Sequence, residues 1–386
     1  MYTTYLRPVL LSAGIFSIFG LSAQESLKLK YDNSIVYAGI EVGSKGVKMS
    51  LLELGKDSKT SGAFNILKDS SVNTDFISFT QPTFNATLNG LSNLYSTAIT
   101  RYNIPSNRVF TVVSSGVKLQ AEKEEKTSWV TNLVDSFKLK IKEPKRRVEV
   151  VDAMQEARLS HLGIVPASKR FSTFLIDIGS GNTKGGYFPM DDNTTDFKLF
   201  TFNWGTKSVT NSAEKKMDEF DKTIATYKSQ LNRTLLSIEN AELIYAVNSS
   251  GAYNMNDYIA FSGGIVWAAA TLLQPDQIDN PVVTVTYEDV QRLTEVLYSD
   301  YASLSEVELV KNIKNPNLDK NAIAKEIKRV HSVFDQKSMM AGAGLLLKIM
   351  RQFKSVYESK GFFFVKNGQV GWVSAYVNQT MSTAAK

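Results

Sequence analysis

Two segments restrict the fold more than anything else in the chain: SIVYAGIEVGSKGVKMSLLEL at 34–54 and FSTFLIDIGSGNTKGGYFPM at 171–190. Each is a short apolar run, a tight turn of glycine and small polar residues, and a second apolar run. Runs this short, β-rich and broken by glycine read as strands rather than helix. GIEVGSKGVKMSL and LIDIGSGNTKGGY match in outline, so one hairpin unit occurs twice. Each copy leads into helical pattern, which implies two α/β domains with a cleft between them.

The remaining pattern fills in those domains. Phe84, Leu88, Leu91, Tyr95, Ala98 and Tyr102 recur on one helical face. RVFTVVSSG (108–116) reads as a buried strand, with a helix from about Gln120 to Phe137 after it. A strand ending near Val151 precedes a helix that carries Gln155, Glu156 and Arg158. In the second half, Met217, Phe220, Ile224, Tyr227 and Leu231 line one face of a long helix. DYIAFSGGIVWAAATLL runs from a strand through Gly263 and Gly264 into a helix, and Thr286 caps the next one. AGAGLLLKIMRQF is the last strong helix. FFFVKNGQVGWVSAYV reads as a hairpin turning at Asn367–Gly368.

Composition excludes several chemistries. There is no cysteine, and His161 and His331 are the only histidines, which argues against disulfides, thiolate sites and clustered-His metal centres. A metal here would be a hard, oxygen-liganded ion such as Mg²⁺. The formal charge of +6 comes from scattered basic residues, which suits small anions and not nucleic acid. The run Lys145–Arg147 is the exception, readable as a solvated interdomain loop or as a patch for polyanions. At the N-terminus, Arg7, an apolar stretch from Val9 to Leu21 and small residues before Gln24 have the layout of a signal peptide, residues 1–23. The expected mature protein is exported, periplasmic or otherwise, without a transmembrane span.

Taken together these features resemble the sugar kinase, Hsp70 and actin superfamily, and more closely its exopolyphosphatase and guanosine-pentaphosphate phosphatase (Ppx/GppA) branch. GIEVGSKGVKM, MQEARLSHLG, DIGSGNTK and AGAGLLLKIM carry the likeness, over roughly residues 34–355. QEARLSHLG is the most specific of them, and the terminal hairpin departs from the pattern. The resemblance implies two ribonuclease H-like domains of the actin-like ATPase kind flanking a central cleft. They would span residues 27–162 and 163–334, with 335–386 returning to the first.

It also implies a phosphate-chain ligand, inorganic polyphosphate or a nucleotide polyphosphate, whose terminal phosphate the family hydrolyses. Glu156 falls on the family's general base and Asp177 on its metal- or water-contacting acid; Glu41 replaces the first loop's Asp as a second candidate Mg²⁺ ligand. Gly43, Ser44 and Lys45, then Gly179, Ser180, Gly181 and Asn182, then Gly263 and Gly264 would hold phosphates. The physical basis is general: backbone N–H groups of tight glycine turns converge on phosphate oxygens where no Cβ blocks approach. Two positions depart from the family: Lys184 stands for a glutamate and Ile265 for a threonine. At about 4 Å and an effective dielectric near 20 a unit pair is worth ~4 kcal/mol, so a lysine facing Mg²⁺ opposes it by about twice that. The same ammonium attracts phosphate and can replace the metal in part, or it can snorkel out of the cleft. Two functions therefore stay open at this point: an exopolyphosphatase-like phosphoanhydride hydrolase, or a pseudoenzyme that binds a phosphate ligand or serves with protein partners as a scaffold in an exported assembly.

Overall fold

A computed structural model describes residues 26–44, 46–55, 64–189, 193–252, 257–354, 360–366, 368, 371–373 and 375–376. The expected leader, Lys45 and Asn367 lie outside these residues. Among the described residues no helix is long and apolar enough to cross a membrane.

The first half opens with β1 (Ile35–Val42), β2 (Gly46–Leu54) and β3 (Phe64–Asn73), followed by α1 (Gln81–Thr100). After β4 (Val109–Val113) come α2 (Ser115–Lys123), α3 (Thr127–Lys140), the two-residue β5 (Glu149–Val150) and α4 (Ala153–Ile164). The strands form one sheet in the order β3-β2-β1-β4-β5, antiparallel across the hairpins and parallel from β1 to β4. Where the pattern suggests a single helix from Gln120 to Phe137, there are two, broken at Glu124–Lys126. Glu125 there takes a positive φ of 56°, which an α-helix cannot accommodate.

The second half repeats the plan. β6 (Thr173–Ile178), β7 (Thr183–Tyr187) and β8 (Lys198–Phe202) form a meander, followed by α5 (Thr206–Lys215), α6 (Ile224–Ile238) and α7 (Ile244–Ser250). Next are β9 (Tyr258–Ser262), α8 (Gly264–Leu273), β10 (Val282–Val285), α9 (Tyr287–Ser299) and α10 (Glu306–Lys311). α11 (Lys320–Val333), α12 (Gln336–Lys354) and β11 (Gly361–Val365) complete it, and the sheet order is β10-β11-β9-β6-β7-β8. Thr286 does cap α9, accepting from Asp289 N–H while Asp289 reaches back to Thr286 N–H. Met217 and Phe220, however, precede α6, and Phe220 is 95% exposed in the loop before it, so they do not share its apolar face.

Most helices cover one face of each sheet, while α4 packs against the opposite face of both, through Leu159 on the first and Ile164 on the second. Ile40, Met49 and Phe137 centre the first core; Phe174, Tyr227, Phe261, Leu345 and Phe353 centre the second. α12 thus belongs to the second core, although residues 335–386 are expected to return to the first half. Its residues Met339, Leu346 and Ile349 are fully apolar on the inner face, and the second sheet offers the larger surface to cover. The expected terminal hairpin is also corrected: β11 pairs with β9 and β10, and residues 371–373 and 375–376 are helical, not a returning strand.

That terminal segment crosses to the first sheet. Trp372, Val373 and Tyr376 bury against Tyr37 and Leu52 of that sheet and Leu159 of α4, on the face opposite α1–α3. The crossing depends on backbone contact with α4, since a Cβ on Gly163 would lie 1.7 Å from Gly371 O. Gly163→Ala should therefore force the segment off α4 and lower Tm by roughly 5 °C. Gly181→Ala is the control for the melting experiment, because nothing lies within 4 Å of the Cβ it adds.

Candidate functional site

Both hairpins end in the same arrangement. Glu41 at the end of β1 pairs across the ladder with Lys48 of β2, and Asp177 at the end of β6 pairs with Lys184 of β7. Residues directly opposite in a ladder point to the same face, so each hairpin presents an acid beside a lysine. The turns match too. Gly43 N–H donates to Gly46 O at 2.8 Å, and Gly179 N–H donates to Asn182 O at 3.0 Å. In the second turn Ser180 and Gly181 stand exposed at the tip, while the carbonyls of Gly179 and Ser180 accept the N–H groups of Thr206 and Lys207 at the start of α5. The helix thereby fixes the turn from behind and leaves its tip toward solvent.

α4 brings Glu156 between the hairpins. Asp152 caps this helix by accepting Gln155 N–H at 2.7 Å, which sets Glu156 in its first turn. One carboxylate oxygen of Glu156 lies 2.5 Å from Lys184 Nζ, and the other accepts Ser115 N–H at 2.8 Å. Ser115 opens α2 on the first sheet, so a single carboxylate ties the two halves together. Asp177 accepts a hydrogen bond from Ser262 Oγ at 2.8 Å. The Lys184 side chain is only 9% exposed and that of Glu156 16%, so Lys184 does not snorkel out.

The protonation states follow from this burial. Burial alone would push the Glu156 carboxyl up, but the Lys184 charge, its hydrogen bond and the Ser115 N–H together hold it below the usual range. For Lys184, burial favours the neutral amine, and Glu156, Asp177 and Glu41 outweigh it and hold the group above its ordinary value. Asp177 and Glu41 are raised, chiefly by burial, with the neighbouring carboxylates adding to it. Glu156 and Lys184 are thus an ionised pair flanked by two acids that resist ionisation.

Mg²⁺ does not fit this donor set. A divalent ion needs converging oxygens, and among the described residues no group of three His, Cys, Asp or Glu is placed to hold one. Glu41 and Asp177, the expected ligands, instead face an ammonium that already supplies the positive charge. Gly263 is accounted for by the backbone: its φ is 106°, and a Cβ there would lie 2.2 Å from Ile178 O. Ile265 is buried against Gly342, and Gly264 packs beside Phe334. Neither histidine enters the site. His161 donates from Nε2 to Thr173 O with its pKa pushed down by burial to about 4, and His331 bonds Tyr301 and Leu304 O.

Beside Glu41 and Glu156 lies a cavity of about 10 Å³, lined on its far side by Trp372 and Tyr376. It is large enough for one water. Three residues of this neighbourhood escape the sequence reading: Ser115, Ser262 and Lys48. Ser115 carried a usable signal, since SSG after a buried strand repeats the small-residue signature of the two hairpin turns.

Solved structures share this architecture. The chain aligns with the Ppx/GppA family member of Aquifex aeolicus at TM-score 0.57 and 16% identity, over 90% of this chain and 99% of that one. The chain has the Ppx/GppA fold. An exopolyphosphatase-like protein aligns at 0.56 and 15% identity over 90% and 99% of the two chains. An exopolyphosphatase from Cytophaga hutchinsonii aligns at 0.52 and 13% identity, over 89% and 98%. At these identities the likeness is one of fold. No protein-family model matches the sequence, and no curated protein matches it either. Within the Ppx/GppA fold, the carboxylate at the expected base position is held by a lysine.

Proposed function

We propose that the chain holds a phosphate chain, inorganic polyphosphate or a nucleotide polyphosphate, between its two hairpin turns, with Lys184 as a fixed cation in place of a metal. The observation that carries this reading is the Lys184 ammonium among Glu41, Glu156 and Asp177, 2.5 Å from Glu156. A phosphate oxygen entering the cleft competes with Glu156 for Lys184 and brings the stronger negative charge. Glu156 is then released from the pair, its pKa rises toward the ordinary range, and it becomes able to orient and deprotonate a water. The tips of the two turns, at Ser44 in the first and at Ser180 and Gly181 in the second, supply N–H donors to the remaining oxygens. Hydrolysis of a terminal phosphate follows from this arrangement only if the released Glu156 reaches that water. The exopolyphosphatase names of the aligned structures support the ligand class, and the layout of residues 1–23 supports an exported site of action.

One observation favours a second reading, a pseudoenzyme serving as a binding or scaffold protein: both oxygens of Glu156 already have partners. Melting experiments separate the two. Polyphosphate without Mg²⁺ should raise Tm, with stabilisation of about 2.7 kcal/mol at a hundredfold excess over Kd. Glu156→Gln should keep that shift and lose phosphate release. No shift with polyphosphate, pyrophosphate or nucleotides would leave the scaffold reading in place.

A further inference from the structure

We infer that the groove along the outer edge of β4 is a second binding site, one that takes a flat aromatic anion. It arises because β5 is only two residues long, so the chain before it leaves β4 and encloses a space of about 600 Å³. That volume falls within the range of small-molecule sites.

The outer wall is held rigidly. Arg146 donates to Val109 O at 2.9 Å, to Ser106 O at 3.0 Å and to Tyr95 OH at 2.8 Å, and it lies over the Tyr95 ring. With Arg146 turned inward, its neighbours Lys145 and Arg147 stand exposed at the rim. The two carboxylates that line the groove are already engaged. Glu143 accepts from Tyr95, Ser106 and Arg146; Glu149 accepts from Tyr376 and Gln155 and pairs with Arg147. Lys145 has no carboxylate within ion-pair distance among the described residues, so the rim carries a net positive charge.

The inner wall is aromatic. Phe110 is stacked between Tyr37, with centroids 6.2 Å apart, and Tyr376 at 5.9 Å and 14°. Phe110 remains half-buried and lines the groove together with the unpaired Lys145. A planar ligand that enters the groove buries the exposed part of Phe110, and its anionic group reaches Lys145 and the exposed Arg147. A bare phosphate gains only the second of these contacts, which separates this site from the cleft.

The test is a fluorescence titration of the full chain with anilinonaphthalenesulfonate, a flat aromatic anion. One saturable site is expected. Lys145→Ala combined with Arg147→Ala, both on the surface, should weaken it about tenfold or more, as should Phe110→Leu. Circular dichroism checks that each variant is folded, and the double alanine variant alone decides if Phe110→Leu is not. Binding unchanged by the double variant would overturn the inference, and so would full displacement of the dye by an equal concentration of inorganic phosphate.

Discussion

Lys184→Glu should melt well below the parent protein in chelator and regain most of the difference when Mg²⁺ is added. The substitution removes the ammonium 2.5 Å from Glu156 and sets a further carboxylate among Glu156, Asp177 and Glu41. Leaving one partner of a buried ion pair uncompensated costs about 3–5 kcal/mol, roughly 10 °C in a chain of this size. The added carboxylate completes an oxygen-rich pocket that a hard divalent ion can neutralise, so Mg²⁺ becomes a stabilising ligand. The parent should show no such gain. The loss should also shrink in acid, because protonating any of the crowded carboxyls relieves the repulsion. In the same variant, metal-free polyphosphate binding should disappear and any phosphohydrolase activity should require Mg²⁺. A melting temperature unchanged in chelator and indifferent to Mg²⁺ would contradict the position assigned to Lys184.

What the sequence discloses follows from how local each feature is. The duplicated hairpin is legible because strand, glycine turn and strand lie within some twenty residues, whereas the acid–lysine register that both copies share emerges only in the ladders. The cap at Thr286 is legible because the box spans one helical turn. Met217 and Phe220 have helical spacing with Ile224, but spacing cannot reveal that Thr223 caps the helix after them. The terminal segment is hidden for a different reason. Trp372 and Tyr376 find their partners on strands more than two hundred residues earlier, and the contact of Gly163 with Gly371 has no local signature. In the site, Glu156, Asp177 and Lys184 stand out from their motifs. Their convergence on one another is a tertiary fact, and so are the bonds from Ser115 and Ser262 that fix them.

The most direct measurement of the central claim is calorimetric binding of polyphosphate in EDTA to the parent and to Lys184→Met. The claim is that a lysine, and not a metal, supplies the positive charge of the cleft. The parent should bind without metal, and Lys184→Met should bind at least about tenfold more weakly, the worth of a charge-assisted contact. Because the Lys184 pKa is raised, the group stays protonated as pH rises, and affinity should hold from neutral to mildly alkaline conditions. Lys184→Met combined with Glu156→Gln removes the unpaired Glu156 charge and should still bind weakly, which assigns the loss to the missing ammonium. Equal affinity of the parent and both variants, or binding by the parent only when Mg²⁺ is supplied, would contradict the account.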